Sequence, residues 1–465
     1  MIRISRGILR KERYIYMTKN SVNSMTEGSP AKLLLSFTLP MLIGNLFQQF
    51  YNMVDSIVVG RFVGANALGS VGVCGSINFL FFSMSFGMAA GVGVVVSQFF
   101  GAQKDDMVEK AIINGAYLLT VVSFIMGLLG IICARWVLVM LDTPQAMLED
   151  AVTYMRVSCA GILAVAAYNG VASILRALGD SKTPLYFMLV SCVINIGLDL
   201  LFVISFDWSV FGVALATIIA QMVAAIGSFI YAYKKISYFR IQKHNRSYEK
   251  HIISRCFMIG LPIAFQNSLI AISCIFLQKV VNGFGESVVA ANTALGRIEQ
   301  IVQQPYGSLG TAITTYTGQN IGAGKTDRVK QGYRVGLISV IVFSLLMLIP
   351  TQFFGKYIMG IFVTEPEVIQ IGVQGLRITS VFYFFLGMIY VARSTLNGTG
   401  DAAFAMINGL VEVIGRVGFA IPLTKIPAIG MWGIFFTTGF TWMLTGIISM
   451  IRYHKGKWIY NSTKM

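Results

Sequence analysis

Charge is scarce in this sequence. Of its 465 residues only 12% are charged, while 55% are hydrophobic. A soluble chain carries about twice that charged fraction. Long polar stretches are also missing, which leaves no room for a separate soluble domain. The three histidines, His244, His251 and His454, all fall in polar segments outside the apolar runs. That excludes a His/Cys metal cluster at membrane depth. Six cysteines (Cys74, Cys133, Cys159, Cys192, Cys256, Cys274) are scattered without a CxxC pair and read as small apolar residues inside helices. No HExxH-type motif or intramembrane histidine offers a base or metal ligand, so an enzyme is not expected. Rings of charge or filter loops, the marks of a channel, are absent as well. Before Leu33 there are basic residues but no apolar core, so no cleaved leader is expected, and Met17 is an alternative start.

What the chain has in abundance is apolar runs long enough to cross a bilayer core roughly 30 Å thick. Twelve can be drawn, at about 33–61, 72–100, 112–137, 153–174, 184–206, 209–233, 253–282, 293–318, 333–355, 373–393, 404–424 and 429–451. The net charge of +16 could suggest nucleic acid, but its placement argues otherwise. Basic residues concentrate at the N-terminus (Arg3, Arg6, Arg10, Lys11, Arg13, Lys19, Lys32), in the central loop (Lys234 to Arg255), in the loop after span 8 (Lys325 to Arg334) and at the C-terminus. The opposite loops carry Asp142, Glu149, Asp207, Glu286, Glu365 and Glu367. Lys and Arg favour cytoplasmic loops, so both termini are expected inside, which requires an even number of spans. The partner is the lipid bilayer, with no nucleic acid.

An internal repeat sets the architecture. A shift of 221 positions brings Gly64 onto Gly285 and Gly75 onto Gly296. It also brings the Gln98–Asp106 turn onto Gln319–Asp327, Arg156 onto Arg377, and Gly179-Asp180 onto Gly400-Asp401. The expected fold is therefore an all-α integral membrane protein, with twelve transmembrane helices in two pseudo-symmetric six-helix lobes around a central cavity. A polar tail (1–30) precedes the N-terminal lobe (31–233). A basic linker (234–252), the C-terminal lobe (253–452) and a short tail (453–465) follow. Repeats of parallel type place substrate between the halves. The duplicated Gln-x-x-Gly-Ala-x-Lys and Gly-Asp turns read as structural punctuation.

The repeat also serves as an internal control, because scaffold residues should occur twice and one-sided chemistry once. Charged residues deep in membrane helices are costly and point to function. In span 1, Gln48, Tyr51 and Asp55 are spaced by three and four and share a helix face, as do Asn195 and Asp199 in span 5. At the offset, Asp55 becomes Phe276, Asn195 becomes Arg416, Asp199 becomes Ala420 and Gln48 becomes Leu269. If the two carboxyls face each other, repulsion and burial favour a proton, or a Na⁺ given further oxygens. Glu412 and Arg416 lie four apart in span 11 and read as a neutralised pair or a cavity contact. Arg297, Glu299 and Lys279 read as snorkelling side chains near helix ends.

Pro40 with Gln48-x-x-Tyr51-x-x-x-Asp55-x-x-x-x-Gly60, the Gly179–Pro184 turn and the twelve-span repeat together resemble the multidrug and toxic compound extrusion (MATE) family over roughly 31–455. That resemblance implies a secondary antiporter of the plasma membrane, functional as a monomer and without a cofactor. It would export small organic, often cationic compounds in exchange for H⁺ or Na⁺. It implies a cation site of Asp55, Asn195, Asp199 and Thr217, completed by Gln48, Tyr51 and Asn169, with Pro40 as the bending point of span 1. Some relatives carry an acid in span 7 for a second-lobe site. Here span 7 has Gln266 and Asn267, which with Glu412 and Arg416 leave only polar contacts to that lobe. The alternative within the wider superfamily is a lipid-linked oligosaccharide flippase.

Overall fold

A computed structural model describes residues 22–462, without the side chains of Ala65, Ser76 and 460–462. The alternative start at Met17, the basic residues from Arg3 to Lys19, and Lys464 lie outside the described residues. Every regular element among the described residues is helical. The first half runs α1 (Pro30–Val58), α2 (Ala65–Gly101), α3 (Asp105–Met140), α4 (Gln145–Ala160), α5 (Ile162–Ala177), α6 (Lys182–Leu200) and α7 (Ser209–Lys235). The second half runs α8 (Lys250–Asn282), α9 (Glu286–Gly322), α10 (Thr326–Phe353), the short α11 (Gly355–Gly360), α12 (Pro366–Val381), α13 (Tyr383–Thr399), α14 (Ala403–Lys425) and α15 (Gly433–His454), then a final turn, α16 (Lys457–Ser462).

Nine of the described helices are long and apolar enough to cross a membrane, and two bent pairs bring the number to eleven. The twelfth expected span lies in α9, which at 37 residues is long enough. Its middle carries Arg297, Glu299, Gln300, Gln303 and Gln304, which lower its hydropathy. The bent pairs are α4/α5 (45°) and α12/α13 (47°). Their breaks, at Gly161 and Phe382, fall at the same place in the repeat. A polar tie repeats as well: Ser85 and Ser123 hydroxyls bond at 2.8 Å, and their equivalents Tyr306 and Ser344 at 2.7 Å.

The chain forms two compact units. Among the described residues, unit 1 holds 22–28, 39–264 and 318–325; unit 2 holds 29–38, 265–317 and 326–462. The boundaries cut α1 just before Pro40 and α8 just after Pro262, the two helix-interior prolines related by the repeat. In unit 1, α2 packs on α3, α4 and α5, and α6 packs on α7. In unit 2, α15 packs on α13 and α14, and α10 on α12 and α13. One apolar face of α1 is left uncovered, with Leu35, Leu39, Ile43, Phe47, Phe50, Met53 and Ile57 exposed at spacings of three and four.

Two segments expected as a tail and a linker are stitched into unit 1. Met25 is buried, its N–H donating to the Gln319 side-chain oxygen (2.7 Å) and its carbonyl accepting from Asn320 (3.1 Å). The Lys325 ammonium donates to the Thr26 carbonyl (3.1 Å). These are residues of the second of the duplicated turns. The turns also meet each other. A Cβ on Gly101 would overlap the Gln319 carbonyl and one on Gly322 the Gln98 carbonyl, so only glycine fits at either place. Between α7 and α8 the chain straps along the start of α3. Glu109 accepts from the Gln242 N–H and the Asn245 amide (2.9 Å each), Asn114 accepts from the Glu249 N–H (2.9 Å), and Lys110 pairs with Glu249 (2.9 Å).

Candidate functional site

The two aspartates sit one helical turn or less before an irregularity in their helices. After α1 the chain winds a π-turn, Val59–Val63, closed by Gly64 N–H to the Val59 carbonyl (3.0 Å). After α6 a second π-turn, Leu201–Ser205, is closed by Phe206 N–H to the Leu201 carbonyl (3.2 Å). Single π-turns recur at functional sites because the extra residue re-aims the side chains around it. The two turns pack in a valine cluster of Val58, Val59, Val203, Val210 and Val213, which closes the site at the end opposite the basic loops. The matching helices of the second half, α8 and α14, end without a π-turn.

Beneath this cluster the carboxyl groups of Asp55 and Asp199 lie within hydrogen-bonding reach of each other. Asp199 is fully buried, and neither of its oxygens has a donor; Asp55 Oδ1 is also enclosed without one. Two carboxylates are both acceptors, so bringing them together calls for a proton, a cation or a bridging donor between them. Asn195, one turn before Asp199, donates to Thr217 Oγ1 (3.4 Å), which in turn donates to the Val213 carbonyl (3.1 Å). The Asn195 side-chain oxygen is buried with no donor. Tyr51, Ser191, Asn195, Thr217 and Gln221 come together beside it, packed too closely to leave room for a water.

Of the expected residues, the structure thus gathers Asp55, Asp199, Asn195, Thr217 and Tyr51, with Gln48 beside Tyr51. Asn169 is not drawn in: its amide donates to the Val165 carbonyl of its own helix (2.8 Å). Two residues not singled out from the sequence belong here. Tyr154 of α4 stands near both carboxyls, and the Gln221 side-chain oxygen is buried one turn beyond Thr217 with no donor. At the repeat offset Tyr154 becomes Gly375 and Gln221 becomes Trp442, but so many polar and aromatic residues are one-sided that the repeat alone does not pick them out.

In unit 2 the equivalent helices hold an ion pair. Arg416 lies 3.5 Å from Glu412, both buried, and its guanidinium also donates to Ser273 Oγ and to the Ile270 carbonyl (3.4 Å) of α8. Gln266 is buried with its Nε2 unpaired, whereas Asn267 is only half-buried. Glu299 does not snorkel. Helix α9 begins at Glu286, which puts Glu299 well inside, and its Oε1 is enclosed without a donor, near Thr379.

The fold and the site can be set beside known proteins. The MatE family model matches residues 40–201 and 262–421, one copy in each half. A probable multidrug resistance protein of Bacillus subtilis, YpnP, is 33% identical over 93% of this chain and 97% of its own length. A second from that organism, YoeA, is 26% identical over 85% of this chain and 88% of its own. Among solved structures, a MOP superfamily transporter from Pyrococcus furiosus superposes with a TM-score of 0.88 at 21% identity, covering 94% of this chain and 98% of that one. A matched pair of family segments, full-length multidrug-resistance relatives and the transporter fold agree on one assignment. The chain belongs to the MatE family of multidrug-efflux transporters.

Proposed function

We propose that the protein exports small organic, often cationic and amphipathic compounds across the plasma membrane in exchange for H⁺ or Na⁺, with the coupling cation held between Asp55 and Asp199. The observation that carries this reading is the buried, donorless carboxyl pair, present in one half of a duplicated chain and absent from the other. Intramembrane carboxylates are retained where they bind something.

In this mechanism a cation entering the pair gives Asp199 the partner it lacks and draws α1 and α6 together. Asn195 and Thr217 supply neutral oxygens if the ion is Na⁺. Because α1 contains Pro40, which removes one backbone hydrogen bond, the helix yields there more easily than elsewhere. Movement of α1 alters the grip on substrate, so substrate release and cation entry exclude each other, and a gradient of one drives the other. Both termini then face the cytoplasm, and the chain works as a monomer.

The test is reconstitution in liposomes with separate pH and Na⁺ gradients, following efflux of a panel of organic cations. Asp55→Asn and Asp199→Asn are each expected to lose gradient-driven efflux by about ten-fold or more while keeping the fold. Full efflux in both variants would overturn the assignment.

A further inference from the structure

The first unit holds two carboxyls that face each other and need a cation. The second holds two carboxyls and a cation that belongs to the chain. At the repeat offset Ser191 becomes Glu412 and Asn195 becomes Arg416, so the ion pair occupies the turn of α14 that corresponds to the cation-site turn of α6. Arg416 lies 3.5 Å from Glu412 and reaches across to α8, the counterpart of α1, where it donates to Ser273 Oγ and the Ile270 carbonyl. Glu299 of α9 lies within electrostatic reach of the same guanidinium. Its counterpart in the first half is the neutral Asn78. Each half thus has a pair of acids the other lacks, and only the second carries its own counter-ion.

We propose that Arg416 is a resident cation, whose guanidinium does for α8 and α14 what the coupling ion does for α1 and α6. This rests on reading Asp55 and Asp199 as the cation site. It explains why coupling is confined to one lobe: the second site is already filled by a charge that cannot leave. A mobile ion gives a helix pair two states, bound and empty. A tethered one gives it a single state, so the second unit keeps the ion-bound packing throughout the cycle.

The experiment uses the purified full chain. Arg416→Lys keeps a cation at the site and Arg416→Gln keeps most of the volume without charge. The glutamine variant is expected to melt roughly 5–10 °C below the lysine variant, since it leaves a buried carboxylate uncompensated. Arg416→Ala opens a space for an external cation. Its melting temperature is expected to rise saturably with low-millimolar guanidinium and not with urea, which has the same shape without charge. The double variant Glu412→Ser/Arg416→Asn, which copies the first half, is expected to fold and to ignore guanidinium. If Arg416→Gln melts with Arg416→Lys, or guanidinium leaves Arg416→Ala unchanged, the inference fails. Repeating the guanidinium titration in an Asp199→Asn background separates the two readings. Full ion-driven efflux surviving in both Asp55→Asn and Asp199→Asn defeats the first-lobe site, whereas an absent guanidinium response defeats only the role of Arg416.

Discussion

At Tyr154 the side chain stands near both carboxyls of the site, on the span from which the sequence offered Asn169 instead. Aromatic residues are so frequent here, with 33 Phe and 19 Tyr, that a single tyrosine carries no signal in the sequence. Asp55, Asp199 and Asn195 were legible because charge and amide at membrane depth are rare and the repeat showed them to be one-sided. The same comparison applied to tyrosines does not single out Tyr154, because Tyr51, Tyr117, Tyr168 and Tyr186 also lose their tyrosine at the offset; only the packing of α4 shows it. Tyr154→Phe removes one hydroxyl from the neighbourhood of a bound cation. It is expected to weaken ion affinity by roughly ten-fold, with the melting temperature in ion-free buffer unchanged. A titration of melting temperature against the coupling ion checks it. Glu299 was misplaced for another reason: the hydropathy of α9 is low, so its start was drawn too late. At the duplicated turns, Gly322→Ala drives a methyl into the Gln98 carbonyl. The expected loss is about 1–3 kcal/mol, measured by thermal unfolding, against near neutrality at the open Gly75.

Helix positions came from the sequence, but helix irregularities did not. The residues that form the first π-turn, Val59 to Val63, contain nothing that announces an extra backbone residue, because hydropathy reports length and not hydrogen-bond register. The breaks at Gly161 and Phe382 lay inside apolar runs for the same reason. The strap between α7 and α8 read as a linker from its charge alone, yet its partners Asp106, Glu109 and Lys110 lie far away in sequence on α3. One of its contacts responds to pH. Hydrogen bonding and charge from Lys110 hold the Glu249 carboxyl below the usual carboxylate range. A depressed carboxyl stabilises the folded state above its unfolded value, about 4.3, and that contribution disappears as pH falls through the folded value. The mobility of a spin label placed at Lys243 is therefore expected to rise as pH is lowered below about 4, and in Lys110→Met to be high at all pH values. Pro40→Ala restores a backbone bond in α1. It is expected to leave the melting temperature equal or higher while slowing efflux about ten-fold, since the helix gives way less readily.

On the scale of the whole chain, the sequence repeat and the compact units do not coincide. The repeat divides the molecule in the strap, whereas unit 1 extends to residue 264 and takes back 318–325. Sequence similarity records how the chain was duplicated, and contacts record which residues now depend on each other. A chain cut at Arg246 thus leaves its first fragment without part of its unit. Residues 1–246 alone are expected to be degraded or aggregated, and co-expression with 247–465 to restore protein and efflux. Membrane yield and dye export measure both.

The reciprocal contact of the duplicated turns has a consequence beyond stability. Gly101 receives the Gln319 carbonyl and Gly322 receives the Gln98 carbonyl, each the repeat partner of the other. A surface that offers the same glycine and the same carbonyl on both sides is self-complementary, the defining property of a two-fold interface. A six-helix protein bearing one copy of this turn would meet a second copy of itself in the same way. The contact between the two turns is thus of the kind that joins a homodimer, made here within one chain.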